Sequence, residues 1–179
     1  MAAGWAEGGP ATSSSATPLV LRSRLSYKRE GREEETEARE VMRSRDEQDA
    51  AATFSERYGR PASDATRELE RLVIGGDFGA NGYTTMAQAD LIAKRLGLRG
   101  GHRLLDVGSG RGWPGLYLAK VAECTVVLTD IPELGLRTAQ ERAAVEGIAE
   151  RSAAVVASAR RLPFGVESFD AVVHTDVLC

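Results

Sequence analysis

The stretch LLDVGSGRGWPG, residues 104–115, decides the fold, because it joins an apolar run to a loop that holds four glycines. Arg103 to Val107 has the composition of a buried strand, and a helix is predicted from about Pro114 to Ala122, with proline in its first turn. Glycines allow positive φ angles and let the backbone of the loop approach a bound molecule. A strand, a glycine turn and a helix in this order predict one unit of an α/β domain.

Strands and helices continue to alternate beyond this unit. The stretch CTVVLTD ends a second predicted strand at Asp130, and a helix follows from about Pro132 to Glu146. A third strand is predicted at about 153–157, and a fourth, FDAVVHT, begins at Phe169. Nearly continuous apolar strands that alternate with helices predict a parallel sheet covered on both faces. We therefore expect an α/β, doubly wound fold.

The sequence stops at Cys179, shortly after the fourth predicted strand. A doubly wound sheet normally has strands on both sides of the point where its strand order reverses. Strand four would here be an exposed apolar edge, which proteins usually avoid. We therefore expect a sheet that is incomplete after strand four, in a chain truncated at its C-terminus.

Three segments are predicted along the chain. Residues 1–60 are small, polar or densely charged, and we expect a disordered or charged helical leader, with Met42 as a possible alternative start. Residues 61–100 are predicted to form an N-terminal cap of two helices, the second capped by Thr85 with Gln88 three residues later and ended by Gly97. Residues 101–179 form the predicted ligand-binding domain.

Composition narrows the class of partner. The chain has 179 residues, 42% of them hydrophobic, and a net charge of -3, which is typical of one soluble domain and disfavours nucleic acid as a partner. No apolar run approaches the ~20 residues that a membrane helix needs. Cys124 and Cys179 have neither metal-ligand spacing nor a disulfide pattern. We expect a cytoplasmic protein without a metal site.

The glycine loop permits two classes of cofactor. Gly110, Gly112 and Gly115 match the dinucleotide fingerprint G-x-G-x-x-G, but Gly108 and Ser109 then intervene between strand and fingerprint. If the fingerprint starts at Gly108 instead, the bulky Trp113 takes the place of its third glycine. This placement disfavours a nicotinamide cofactor, which we keep as an alternative.

Two aspartates follow the first two predicted strands. Asp130 lies 20 residues after Gly110 and is placed to bind a ribose diol, which both classes of cofactor contain. Asp106, two residues before Gly108, would suit an ammonium group, which a methionine-based methyl donor has. The loop therefore favours a methyl donor.

Three motifs in order resemble the class I S-adenosylmethionine-dependent methyltransferases. They are LLDVGSGRG (104–112), Asp130 at the end of VVLTD, and ASARRLPFGVESFDAVV (157–173). The last is similar to the signature of the small-molecule branch called methyltransferase type 11-like. The resemblance covers residues 75–179 and implies a Rossmann-like fold, S-adenosyl-L-methionine as cofactor and a small-molecule methyl acceptor.

The resemblance also implies roles for individual residues. The methionine part of the donor would border the glycine loop. Two residues of the upstream segment GANGYTT, Tyr83 and Thr84, would close over the carboxylate of the donor. Asp130 would bind the ribose, and Ile131 would lie against the adenine. Ser158 replaces the aspartate that usually accepts from the adenine amino group, a role that the Ala159 backbone could share. The loop comprises Asp106, Gly108, Ser109, Gly110 and Gly112.

The stretch HTDVLC would face the transferred methyl group. His174 or Asp176 is the predicted general base for an acceptor that arrives protonated. Asp176 matches the acid of a D-x-x-x-H segment whose histidine falls beyond the last residue. The predicted function is methyl transfer to a small molecule. One alternative is an inactive donor-binding fragment of such an enzyme, and the other is a nicotinamide-dependent oxidoreductase. The sequence does not indicate an oligomeric state.

Overall fold

The computed structural model describes residues 44–177 and the backbone of residues 20–22. Met42 and Cys179 lie outside these residues. The described chain forms a five-stranded parallel sheet in the order β1-β4-β3-β2-β5. The strands are β1 (Val20–Arg22), β2 (Arg103–Val107), β3 (Thr125–Asp130), β4 (Ser152–Val156) and β5 (Ala171–Val173).

The register of the sheet brings the carboxyl ends of β2, β3 and β4 to one edge. Val107 lies opposite Thr129, and Asp130 lies opposite Val156. β5 pairs with β2 on the other side, so the strand order reverses next to β2. Ligands of open α/β sheets bind at such a reversal, outside the carboxyl ends of the strands. The predicted parallel α/β fold is confirmed.

Helices connect the central strands: α4 (Gly115–Val121) follows β2, and α5 (Glu133–Val145) follows β3. Leu104 and Leu105 point to opposite faces of β2 and are both buried, so the central strand is covered on both sides. The core is aliphatic, and its largest fully buried side chains include Leu104, Leu116, Leu118, Leu128 and Leu136.

The fourth predicted strand is shorter than expected. β5 begins at Ala171 rather than at Phe169. Phe169 instead packs edge-on against Phe164, with their ring centroids 4.9 Å apart. Asp170 bonds to the start of β2 through its side chain, because its Oδ2 accepts from the Arg103 N–H at 2.7 Å. Phe169 is therefore engaged in aromatic packing and is not part of the strand that the apolar pattern predicted.

Three helices precede the sheet's second strand: α1 (Arg45–Gly59), α2 (Asp64–Val73) and α3 (Met86–Arg95). The predicted cap of α3 is confirmed, since Gln88 N–H donates to Thr85 Oγ1 at 3.2 Å and Thr85 N–H donates to Gln88 Oε1 at 2.8 Å. Among the described residues, every helix is too short or too polar to cross a bilayer.

A charged helix was one of the two forms predicted for residues 1–60, and α1 has that form, whereas two contacts of this segment were not predicted. The backbone of β1 pairs in parallel with β4, and α1 packs against α5. Tyr58 of α1 is buried. Ala50, Ala51, Phe54 and Tyr58 recur at helical spacing within a densely charged sequence, and that spacing was the signal of a docking face.

Candidate functional site

A cavity of about 660 Å³ lies at the carboxyl edge of the sheet, beside the reversal of strand order. The glycine loop and the end of β3 form its base, α1 covers one side, and two loops that contain residues 79–83 and 175–177 close the other. Its volume is within the range of about 300–1,000 Å³ that small-molecule sites occupy. Seven of the predicted site residues line it: Tyr83, Gly108, Ser109, Gly110, Asp130, Ile131 and Asp176.

The glycine loop is held against β3 by backbone hydrogen bonds. Gly108 and Ser109 both donate to the Thr129 carbonyl, at 2.7 and 3.0 Å. Gly110 has a φ of +52°, and a Cβ at this position would lie 2.9 Å from Tyr58 Oη. The loop therefore needs glycine at 110 both for its backbone conformation and for the close approach of α1.

Asp130 is one of two aspartates that line the cavity. Its Oδ2 accepts from Gly110 N–H at 2.7 Å, and its Oδ1 accepts from Ile131 N–H at 2.7 Å. Burial raises the pKa of Asp130, and the two backbone N–H groups oppose that rise. Each carboxylate oxygen can accept more than one hydrogen bond. The side chain is therefore fixed in place with acceptor capacity for a hydroxylated ligand.

Asp106 does not line the cavity, so the role predicted for its side chain stays a prediction that no contact in the structure supports. The residue is 1% exposed, and its Oδ2 accepts from Gly115 N–H at 3.0 Å, at the start of α4. Burial raises the pKa of Asp106 to about 8, and the nearby charge of Asp130 adds to the rise. The carboxyl therefore holds the start of α4 inside the core.

Gly112 also serves packing rather than the cavity. A Cβ at this position would lie 2.6 Å from Leu116 Cδ1 and 3.1 Å from Ala139 Cβ. The glycine therefore lets the loop pass close to α4 and α5. Trp113 does line the cavity; its ring stacks on Phe78 with centroids 3.8 Å apart, and its Nε1 donates to the Thr84 carbonyl at 2.8 Å.

The loop after β5 is tied to the segment that contains Tyr83 and Thr84. Asp176 Oδ2 accepts from Tyr83 N–H at 3.1 Å and from Thr84 Oγ1 at 3.2 Å. The Tyr83 side chain is 82% exposed, and Thr84 is not on the cavity wall. The structure thus brings these three predicted residues together as a connection between two loops, and the closure over a carboxylate stays a prediction.

His174 is placed away from the cavity. The residue is exposed and follows Val173, the buried last residue of β5. It is not among the residues that line the cavity. The structure therefore gives no geometric support to His174 as the general base.

Ser158 and Ala159 are not among the residues that line the cavity. Ser158 Oγ donates to Glu47 Oε1 and accepts from Arg160 N–H at 3.2 Å. Its hydroxyl is therefore engaged, and the carboxylate nearest to it belongs to α1. The sequence analysis did not single out Glu47, because it stands 111 residues before Ser158, in a densely charged stretch.

The wall formed by α1 was also missed. Ala50, Ala51, Phe54, Arg57 and Tyr58 all line the cavity. Burial and the charge of Asp130 raise the pKa of Tyr58 to about 12, so its hydroxyl stays protonated.

Within residues 44–177, no group of three or more His, Cys, Asp or Glu side chains could hold a metal ion.

Arg111 fastens the end of α1 to the glycine loop. Its Nη2 donates to the carbonyls of Tyr58 at 2.9 Å, Arg57 at 3.2 Å and Arg60 at 3.5 Å. Its guanidinium also lies 5.6 Å from the centroid of the Tyr58 ring. A cation at these carbonyls complements the negative end of the helix dipole. The central residue of the loop thereby positions one wall of the cavity.

Comparison with known proteins finds similarity to methyltransferases. The family model described as "Methyltransferase domain" matches residues 104–179. The methyltransferase GfsG of Streptomyces halstedii is 35% identical over 79 residues, which are 44% of this chain and 28% of that protein. A 27-O-demethylrifamycin SV methyltransferase of Amycolatopsis mediterranei (strain S699) is 35% identical over 88 residues, 49% of this chain and 32% of the relative. The matches thus span about a third or less of these relatives' length.

Solved structures share the fold. A geranyl diphosphate methyltransferase in complex with GPP and sinefungin matches with a TM-score of 0.55 and 22% identity, over 72% of this chain and 54% of that one. The [4+2]-cyclase SpnF matches with a TM-score of 0.52 and 25% identity, over 70% and 47% of the two chains. The strand order, the glycine loop and the position of Asp130 thus occur in a segment, residues 104–179, that is similar to methyltransferase domains.

Proposed function

We propose that this chain carries the donor site of an S-adenosyl-L-methionine-dependent methyltransferase that acts on a small molecule. The observation that supports it most is Asp130, whose carboxylate is held beside the glycine loop and faces the cavity. An ionised carboxylate suits the two hydroxyls of a ribose. When bound, the donor supplies an electrophilic methyl group, and the chain has only to position it and exclude water.

The residues divide along the cavity by the part of the donor that each would meet. Gly108, Ser109 and Gly110 border the methionine part, Asp130 accepts from the ribose hydroxyls, and Ile131 lies against the base. Asp176 is assigned a positioning role, because its carboxylate holds the Tyr83–Thr84 segment that borders the cavity. Trp113 contributes apolar surface to the same wall.

The acceptor is proposed to be a hydroxyl group of a small molecule. The names of the relatives support this class, since one is a 27-O-demethylrifamycin SV methyltransferase and another an erythromycin 3''-O-methyltransferase. The net charge of -3 favours a small molecule over nucleic acid. The buried free thiol of Cys124 is compatible with the reducing cytoplasm in which we place the protein.

Turnover tests this proposal. The chain is incubated with methyl-labelled S-adenosylmethionine and panels of hydroxyl, amine and thiol acceptors, and both S-adenosylhomocysteine and labelled product are measured. The proposal predicts label on a hydroxylated acceptor, and substitution of Asp130 by alanine abolishes it. Donor binding without turnover on any acceptor favours the alternative of a donor-binding fragment. NADH binding with no donor binding favours an oxidoreductase and refutes the proposal.

A further inference from the structure

The first turn of α1 meets the loop after β4 beside the cavity. Glu47 Oε1 accepts from Ser158 Oγ, and Glu47 Oε2 accepts from Ser44 N–H at 2.8 Å. The carboxylate is thereby oriented from both sides, and α1 is anchored to the loop at its N-terminal end. Ala50 and Ala51, which lie one turn further along the same helix face, line the cavity.

Strand register shows which part of a nucleoside would lie here. Asp130 is opposite Val156, and Ala157 N–H donates to the Asp130 carbonyl at 3.0 Å, so Ser158 follows directly at the same sheet edge. The glycine loop is on the other side of Asp130. A ribose carries its base and its 5′ substituent on opposite sides. If the 5′ substituent lies over the glycine loop, the base extends toward Ser158 and Glu47.

The charge state of Glu47 fits an acceptor of hydrogen bonds. The bond from Ser158 and the bond from the Ser44 N–H hold the pKa of Glu47 below its usual value, and the charge of Arg160 acts in the same direction. The side chain is therefore ionised at neutral pH and cannot donate. The Ser158 hydroxyl is engaged by Glu47 and Arg160 N–H, which leaves the carboxylate as the acceptor at this end.

We propose that Glu47 is the residue that selects an adenine base, by accepting a hydrogen bond from its exocyclic amino group. This inference rests on the proposed function. The inference assigns the role of acceptor to a carboxylate of α1, because the loop after β4 has serine at position 158 and supplies no carboxylate there. A 6-oxo purine presents an acceptor in place of the amino group and would meet an anion, so it should be rejected.

The experiment compares two ligands that differ only at this position. Calorimetry measures the dissociation constants of S-adenosylhomocysteine and of its deaminated analogue S-inosylhomocysteine. The unmodified chain should bind the adenine compound at least about tenfold more tightly, since a hydrogen bond to a charged group is worth about 1.5–3 kcal/mol. In Glu47→Gln the amide can also donate to a 6-oxo group, and the ratio should fall toward one.

Two further variants keep a folding defect apart from a loss of selectivity. Glu56→Gln removes a carboxylate of the same helix that pairs with Arg60 at its exposed end, and it should leave the ratio unchanged. Adding Ser158→Asp to Glu47→Gln places a carboxylate back in the loop, and the ratio should recover.

Each other outcome overturns the inference. If Glu47→Gln weakens both ligands equally, Glu47 only anchors α1. If it leaves the ratio unchanged while S-adenosylhomocysteine still binds, another group selects the base and the proposed function stands. If the unmodified chain binds neither ligand, the proposed function fails together with this inference.

Discussion

Replacing Asp106 by asparagine should change how stability depends on pH. Asp106 is fully buried, and its pKa rises from 3.8 to about 8 in the folded chain. Between these values the unfolded chain has lost the proton that the folded chain keeps. The free energy of unfolding of the unmodified chain therefore falls as the pH rises from 4 toward 8. Asparagine does not titrate, so the variant lacks this contribution.

The size of the effect follows from the shift. A pH of 7 is about 3 units above the pKa of the carboxyl in the unfolded chain. At about 1.4 kcal/mol per unit, the buried acid therefore lowers the free energy of unfolding by up to about 4 kcal/mol. The amide oxygen of asparagine can still accept from Gly115 N–H, whereas its buried NH₂ group costs about 1–3 kcal/mol at every pH if it lacks an acceptor. The stability of the variant relative to the unmodified chain should thus rise by about 4 kcal/mol from pH 4 to pH 7.

Urea unfolding of both proteins at pH 4, 5, 6, 7 and 8 measures this difference. Asp170→Asn is the matched control. The Arg103 N–H lowers the pKa of Asp170, so the aspartate stabilises the folded chain above its unfolded pKa, and that contribution is lost only as the pH falls below this range toward the folded pKa. The stability of Asp170→Asn relative to the unmodified chain should therefore stay nearly constant from about pH 5 to about pH 8. A relative stability of Asp106→Asn that stays constant within about 1 kcal/mol across the range would refute the reasoning, because it would mean that Asp106 titrates normally when folded.

Three further substitutions test how the cavity is built. Arg111→Met removes the bonds to the last carbonyls of α1, so amide exchange over that helix should accelerate at least about tenfold, and unchanged exchange would contradict the tether. Gly110→Ala forces a Cβ to 2.9 Å from Tyr58 Oη at a φ of +52° and should weaken S-adenosylhomocysteine binding at least about tenfold, with partial rescue by Tyr58→Phe; full affinity in the single variant would oppose this. Asp176→Ala should increase proteolysis at the segment 82–84, because two hydrogen bonds to it are lost, and an unchanged cleavage rate would show that the segment is held elsewhere.

The sequence predicted the features that depend on local patterns. The apolar run at 104–107, the cap at Thr85 and the order of strands and helices each follow from residues close together in the chain, and the structure confirms them. Asp130 was also placed at the cavity, because the end of a parallel strand next to a glycine loop can face only one edge of the sheet.

Features that depend on distant contacts were not predictable in the same way. The direction in which Asp106 points is set by the start of α4, which lies nine residues later and offers an N–H group inside the core. The docking of α1 depends on Arg111, more than 50 residues away, and its few apolar residues are hidden among charges. Residue propensity and apolar periodicity predict whether a segment is a helix or a strand and which of its faces is apolar. The long-range contacts of Asp106 and α1 determine which other segment packs against that face.

The binding of S-adenosylhomocysteine tests the central claim most directly, because the account assigns the cavity at the edge of the sheet to an adenosyl ligand. Calorimetric titration of the chain should give one site with micromolar affinity, and Asp130→Ala should weaken it at least about tenfold through the loss of bonds to the ribose. NADH titrated in the same way should produce no binding heat. Saturable NADH binding without any response to S-adenosylhomocysteine, or an affinity that Asp130→Ala leaves unchanged, would contradict the account.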